Sequence, residues 1–142
     1  MKYTSNSVFT HSQTDKIGIL VSNLGTPEAP TKQALKPYLK QFLSDPRVVE
    51  VPKLIWWCIL NLIILQIRPK RSAAAYATVW TEDGSPLLTD TKNQASALQA
   101  KFDAHSPGKY IVGYAMRYGQ PSVENAMNQL LEQGARKVVV LP

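Results

Sequence analysis

The sequence has a single cysteine, Cys58, among its 142 residues. One thiol cannot close a disulfide within the chain, and it is too few for a cysteine-ligated cluster or a structural zinc site. The chain also lacks an apolar run of the roughly 20 residues that span a bilayer, and residues 1–15 lack the apolar core of a secretory signal. These absences predict a cytoplasmic protein with no redox scaffold and no resident cofactor.

Histidine and acidic residues are also scarce. The two histidines, His11 and His105, stand apart from each other and from any pattern of metal ligands, so we expect both to be solvated. Lys and Arg number 16 against 10 Asp and Glu, a formal net charge of +6. That surplus fits nucleic acid, an anionic membrane surface or an acidic small ligand. The only dense basic cluster spans residues 68–71 and no known binding module accompanies it, which argues against nucleic acid.

Apolar patterns predict an α/β fold. Nearly continuous apolar runs at 17–21, 110–114 and 138–141 are typical of strands buried on both faces of a parallel sheet. Apolar residues at helical spacing follow Ser85-Pro86 and follow Pro121. Strand, helix and strand over 110–141 form a βαβ crossover, which demands parallel pairing. The prediction is a parallel sheet flanked by helices.

Two further helices are expected between the first two strands. One carries an apolar stripe over 35–43 and contains Pro37, so it begins there or is kinked. The other is a short helix capped by Ser72 that carries Tyr76 and Trp80. We expect residues 1–15 to be a flexible lead-in and 16–142 to be one domain, truncated because the chain ends inside a strand.

The carboxyl edge of the predicted sheet is where a ligand is expected, because loops and helix N-termini converge there. The second strand leads to Arg117, whose planar guanidinium suits a carboxylate or phosphate. A surface ion pair explains the same residue equally well. The first strand leads to Gly25, but no glycine-rich phosphate loop accompanies it, which argues against a nucleotide site.

The segment 54–67 is almost wholly apolar, with Asn61 and Gln66 as its only polar members. As a helix it would be about 21 Å long, well short of the ~30 Å hydrocarbon core. Basic residues flank it, so it could lie in a lipid interface, cover an apolar ligand, or be a buried core helix. The adjacent Trp56 and Trp57 favour a half-exposed position, since indole N–H groups prefer a wet boundary.

Several short motifs, in this order, resemble the amino-terminal half of ferrochelatase, the enzyme that inserts ferrous iron into a porphyrin in haem synthesis. The resemblance covers residues 16–142. Its carriers are Asn23-Leu24-Gly25-Thr26-Pro27-Glu28, Phe42-Leu43-Ser44-Asp45-Pro46-Arg47-Val48-Val49, Arg68-Pro69-Lys70-Arg71-Ser72 with Tyr76, Gly84-Ser85-Pro86-Leu87, Met116-Arg117-Tyr118-Gly119 with Pro121, and Val138-Val139-Val140-Leu141-Pro142.

The resemblance implies a Rossmann-like chelatase fold of two similar α/β domains with a porphyrin cleft between them. It places Leu24 against the face of the macrocycle and Arg117 in the pocket. It groups Arg68, Tyr76 and Ser85 around the propionates, and it makes segment 54–67 the hydrophobic lip of the cleft, a membrane contact in some members. We therefore expect a porphyrin as partner.

The family's metal-insertion histidine and its acidic partner match no residue of this chain. The resemblance therefore implies that catalytic residues lie beyond Pro142, that ferrous iron is a substrate of the full lyase, and that this chain alone is inactive. Two alternatives stay open: a non-catalytic porphyrin- or anion-binding module at a membrane surface, and a chelatase for another metal. The choice between protoporphyrin and a more carboxylated porphyrin, and the oligomeric state, also stay open.

Overall fold

A computed structural model describes residues 15–142. The predicted lead-in, including His11, lies outside the described residues except for Asp15. Within 15–142 the elements follow one another as β1 (Lys16–Gly25), α1 (Lys32–Leu43), α2 (Lys53–Ile59), a π-helical turn (Leu60–Ile64), α3 (Leu65–Val79), α4 (Pro86–His105), β2 (Tyr110–Tyr118), α5 (Val123–Glu132) and β3 (Ala135–Leu141).

The three strands of this region form one parallel sheet in the order β2-β1-β3. The predicted α/β class is confirmed, and β1 lies between the two strands of the predicted crossover. The strands are longer than their apolar runs, because β2 continues to Tyr118 and pairs Tyr118 with Gly25. Backbone pairing extends past the apolar residues, so hydropathy alone underestimates where these strands end.

Two apolar clusters cover the sheet and its carboxyl edge. In the first, α5 packs Ala126 and Leu130 against Leu20 of β1 and Ala115 of β2. In the second, α1 packs against the π-helical turn, α3 and the end of β2, and its buried members are Leu35, Tyr38, Leu39, Leu43, Leu60, Leu65 and Tyr118. The second cluster holds the helices of residues 32–79 beside the carboxyl ends of β1 and β2.

Most helix predictions are confirmed, but a start of α1 at Pro37, one of the two alternatives, and the expected helix start at Ser72 are not. Ser85 is the N-cap of α4 with Pro86 at its first position, as predicted. Helix α1 begins at Lys32, capped by the Thr31 side chain, and Pro37 lies inside it.

The predicted short helix with Ser72 as its cap is wrong. Helix α3 runs unbroken from Leu65 to Val79, and Trp80 follows its end. A serine caps only a helix whose first N–H groups lack partners, and at Ser72 the helix is already under way.

Candidate functional site

Leu24 and Arg117 lie side by side on adjacent parallel strands, between the paired residues Asn23 and Met116 and the paired residues Gly25 and Tyr118. Alternation along the strands gives both side chains the same face of the sheet. Leu24 is 52% exposed although it is a large apolar residue, and the Arg117 side chain is 48% exposed. This carboxyl edge of β1 and β2, with Leu24 and Arg117, is the rim of the sheet. It presents an apolar side chain next to a cationic one.

An acidic side chain holds this arginine. The Arg117 Nη2 atom donates to Asp45 Oδ2 over 2.9 Å, and the Tyr118 hydroxyl donates to the same oxygen over 3.0 Å. Asp45 lies in the loop after α1, where its Oδ1 accepts from the Arg47 backbone N–H. The Arg47 N–H and then the Arg117 guanidinium hold the pKa of Asp45 below its usual value, and Asp45 in turn raises the pKa of Arg117.

A group of aromatic rings connects the rim to α3. Tyr38 stands at its centre, stacked with Phe42 at 6.3 Å and edge-on to Tyr76 at 6.4 Å between ring centroids. The Tyr38 hydroxyl donates to the Gly25 carbonyl oxygen over 3.1 Å. Burial, and then the neighbouring Tyr76 phenol, raise the pKa of Tyr38 far above its usual range. Through Tyr38, the ring of Tyr76 is tied to the end of β1.

A polar layer lies under the rim, where β1 meets the start of α4. Thr26 Oγ1 donates to Ser85 Oγ over 2.8 Å, and Asn23 Nδ2 donates to Thr91 Oγ1 over 3.1 Å. Ser85 is only 5% exposed. Its hydroxyl therefore fixes the loop after β1 to the start of α4 and lies behind the exposed rim.

Arg68 lies on α3, three residues after the helix begins at Leu65 and on the same helix as Tyr76. It lines a cavity on α3 with Arg71, Ser72 and Ala75. Tyr76 follows eight residues later on the same helix, about 12 Å along its axis. The two guanidinium-bearing residues, one turn apart, form a second cationic surface on the same helix that carries Tyr76.

The structure thus brings four of the five candidate residues to one edge of the sheet. Leu24 and Arg117 are strand neighbours, while Ser85 and Tyr76 reach β1 through Thr26 and Tyr38 respectively. Arg68 shares helix α3 with Tyr76. The sequence places Asp45 in one of the motifs that carry the resemblance, but no sequence signal identified it as the partner of Arg117.

Segment 54–67 is exposed for most of its length, so the core-helix interpretation is wrong. Only Leu60 and Leu65 are buried in it, whereas Leu54 is 78% exposed; the other exposed large apolar residues of the segment are Ile55, Trp57, Leu62, Ile63 and Ile67. The segment spans most of α2, the π-helical turn and the start of α3. It packs Leu60 and Leu65 against the buried side chains of α1 and leaves most of its other large apolar side chains exposed.

The two tryptophans differ in this segment. The Trp56 Nε1–H donates to the Leu43 carbonyl oxygen over 2.6 Å, which anchors α2 to the end of α1. Trp57 is exposed. No helix within residues 15–142 has the length and hydropathy needed to cross a membrane.

Metal-ligating side chains do not cluster in the described chain. Residues 15–142 contain no group of three or more His, Cys, Asp or Glu side chains that could hold a metal ion. His105 Nδ1 lies 2.9 Å from the Lys101 carbonyl oxygen of its own helix and is exposed.

Comparison with known proteins gives a consistent result. A family model described as Ferrochelatase matches residues 16–142. A protein of Pseudoalteromonas atlantica named ferrochelatase is 61% identical over 142 residues, which are 100% of this chain and 39% of that protein. Ferrochelatases of Idiomarina loihiensis and Teredinibacter turnerae are 59% and 56% identical over the whole chain. The chain spans about two fifths of the length of these relatives.

Proposed function

The chain belongs to the ferrochelatase family, and on this premise we propose that it forms the porphyrin-binding part of an enzyme that inserts ferrous iron into protoporphyrin to make haem. The observation that carries the proposal is the exposed Leu24 beside the exposed Arg117 at one strand end. A flat apolar ring with carboxylate substituents needs an apolar surface and nearby cations. This edge of the sheet offers both.

The proposed roles follow from position and chemistry. Leu24 contacts the face of the ring, and Arg117 donates hydrogen bonds to a carboxylate at the rim. Arg68 and Arg71 provide a second cationic surface on α3, and Tyr76 of the same helix contacts Tyr38, whose hydroxyl bonds the end of β1. Ser85 Oγ accepts from Thr26, the residue directly after the strand that carries Leu24, so Ser85 supports the end of that strand.

Ferrous iron enters this reaction as a substrate. Two pyrrole protons leave as the metal enters, so the enzyme needs a base and a metal-binding group. We assign both to the part of the longer relatives that this chain does not span. The role of this chain is then to bind the porphyrin: contacts to the ring and its carboxylates provide binding energy that offsets distortion of the macrocycle.

The test is a metal-insertion assay on the full-length protein with Arg117→Ala, Arg68→Ala and Tyr76→Phe. Loss of one hydrogen bond to a charged group costs about 1.5 kcal/mol, so each arginine variant should raise the KM for porphyrin roughly tenfold. Lys101→Ala, on an exposed part of α4, serves as a matched control for loss of a positive charge. Unchanged KM values in all three site variants would reject the assignment.

The same assay separates the alternatives. Parallel reactions with ferrous, cobalt and zinc ions identify the metal, and parallel reactions with protoporphyrin and a tetracarboxylate porphyrin identify the substrate. A carrier would bind porphyrin stoichiometrically, by fluorescence titration of the full-length protein, without metal insertion. Turnover that is fastest with ferrous iron supports the proposal.

We also propose that the protein is cytoplasmic and that segment 54–67 gives it a peripheral contact with an anionic membrane. Its exposed apolar side chains are followed directly by the exposed Arg68, Lys70 and Arg71. Apolar burial and attraction to anionic lipid then add, with about 1 kcal/mol from each basic residue near the surface. An exposed apolar surface of this size also suits a second copy of the protein.

Vesicle sedimentation distinguishes contact with a membrane from contact with a second copy of the protein. Vesicles of phosphatidylcholine with and without phosphatidylglycerol are mixed with the full-length protein and with Trp57→Ser/Ile63→Ser. Binding to anionic vesicles should fall about tenfold in the variant, whereas Leu131→Ser, an exposed apolar residue on α5, should bind normally. Unchanged vesicle binding, with a dimer that dissociates in the double variant, would assign the segment to self-association.

A further inference from the structure

Arg117 is held at the rim by contacts from two directions. Its Nη2 donates to Asp45 Oδ2 over 2.9 Å, and its guanidinium carbon lies 5.6 Å from the centre of the Tyr118 ring. The first contact fixes one end of the guanidinium, and the second supports its face. Arg117 therefore has a defined orientation although half of its side chain is exposed.

Asp45 is itself immobilised. Its side chain is 11% exposed, and its two oxygens accept hydrogen bonds from the Arg47 backbone, Arg117 and Tyr118. Its backbone carbonyl oxygen accepts from the N–H groups of Val48 and Val49 over 2.9 and 3.1 Å, which closes the turn after α1. A carboxylate with this many donors in a closed turn is a rigid support for a flexible arginine.

The α1 loop is fastened to the end of β2 independently of this ion pair. Gln41 Oε1 accepts from the Gly119 backbone N–H over 2.9 Å, and the rings of Phe42 and Tyr118 pack at 5.1 Å. The position of Asp45 relative to β2 is thus set by contacts that do not involve Arg117. A change at Asp45 Oδ2 can release the guanidinium while the loop keeps its place.

A guanidinium has five N–H donors, and the 2.9 Å hydrogen bond to Asp45 uses one of them. Donors that Asp45 does not engage can bind a substrate carboxylate, and their direction depends on the torsions that Asp45 restricts. A displacement of about 1 Å in a binding group is enough to weaken a directed interaction strongly.

We propose that Asp45 is a positioning residue that orients Arg117 for a carboxylate of the porphyrin. The inference rests on the proposed function, because it gives Arg117 a substrate. Asp45 acts through Arg117 and does not touch the porphyrin, so its effect depends on the presence of the guanidinium.

The experiment is a double-mutant cycle on the full-length protein with Asp45→Asn, Arg117→Ala and the combination. Asp45→Asn keeps Oδ1 for the Arg47 N–H and replaces Oδ2 with an amide nitrogen that cannot accept from Arg117. The readouts are kcat and KM for porphyrin, with thermal midpoints for each variant. Arg47→Ala is the control, since its exposed guanidinium lies 3.9 Å from Asp45 and contributes little.

The expected result is a roughly fivefold rise in KM for Asp45→Asn with kcat within twofold, and no further rise when Arg117 is already alanine. Asp45→Glu, which keeps the charge, should recover part of the loss. If Asp45→Asn does not fold, Asp45→Ser, which removes the carboxylate but keeps an oxygen that can accept from the Arg47 N–H, replaces it in the cycle. Equal effects of the Asp45 substitution in both backgrounds, or none in the wild-type background, overturn the inference alone. An unchanged KM for Arg117→Ala overturns the proposed role of Arg117 and this inference with it.

Discussion

Gly25 and Tyr118 are paired in register at the carboxyl ends of β1 and β2, and a Cβ atom on Gly25 would overlap the backbone carbonyl oxygen of Tyr118. The φ angle of Gly25 is +119°, in the region that side-chain-bearing residues rarely adopt. This close approach sets the separation of the two strand ends and so the spacing between Leu24 and Arg117. The geometry of the rim therefore depends on a residue with no side chain.

The variant Gly25→Ala should be among the most damaging single changes in the chain. Strain at positive φ contributes about 1–3 kcal/mol, and the overlap with Tyr118 adds to it, so a loss of more than about 3 kcal/mol is expected. Gly84→Ala is the control, because Gly84 has a φ of +102° but no atom within 4 Å of an added Cβ. Urea unfolding of the intact protein measures both, and equal losses would contradict the close-approach argument.

The two neighbouring tryptophans should respond differently to removal of the indole N–H. Trp56→Phe loses the hydrogen bond to the Leu43 carbonyl oxygen and leaves that oxygen without its partner, at a cost of about 1–3 kcal/mol. Trp57→Phe should change the free energy of unfolding by less than about 0.5 kcal/mol, because Trp57 is exposed. Thermal unfolding compares them. A loss of stability for Trp57→Phe as large as that for Trp56→Phe would contradict the anchoring role of Trp56.

Tyr38→Phe should destabilise the protein at neutral pH by about 1 kcal/mol, through loss of the hydrogen bond to the Gly25 carbonyl oxygen. The pKa of Tyr38 is raised in the folded state above its usual value of 10.0, so its contribution to stability is complete below pH 10 and is lost as the pH rises further. The difference in the free energy of unfolding between wild type and Tyr38→Phe should therefore narrow above pH 10. A gap that stays constant to pH 11 would argue that Tyr38 is not buried.

The ion pair at the rim should weaken in acid. The pKa of Asp45 is lowered in the folded state from its usual 3.8 by the Arg47 backbone N–H and then by Arg117, so its contribution is complete well above pH 3.8 and is lost as the pH falls through the lowered value. The stability difference between wild type and Asp45→Asn should be constant from pH 7 to about 5 and shrink below about pH 4. A difference that persists unchanged at the acid end would contradict the pairing.

The elements that the sequence predicts well are those whose signal is local. Continuous apolar runs mark the three strands, and burial on one face gives α5 its helical spacing, because each pattern depends only on residues within a few turns. The expected burial of both faces is wrong for β3 within residues 15–142, where Val139 and Val140 are half exposed. The Ser85-Pro86 start of α4 is likewise a local arrangement of unpaired N–H groups. The wrong prediction of a helix start at Ser72 has the same origin, since a local signal cannot reveal that α3 begins upstream at Leu65.

The sequence by itself determined the α/β class, the order of the main elements and the edge of the sheet at which Leu24 and Arg117 stand, because the carboxyl ends of parallel strands must share one edge. Only the tertiary structure decided that β1 is central, that β2 continues to Tyr118, and that Asp45 holds Arg117 from 72 positions away. Such a contact depends on how α1 packs beside β2, and that packing is a balance over the whole core which no short stretch of sequence encodes.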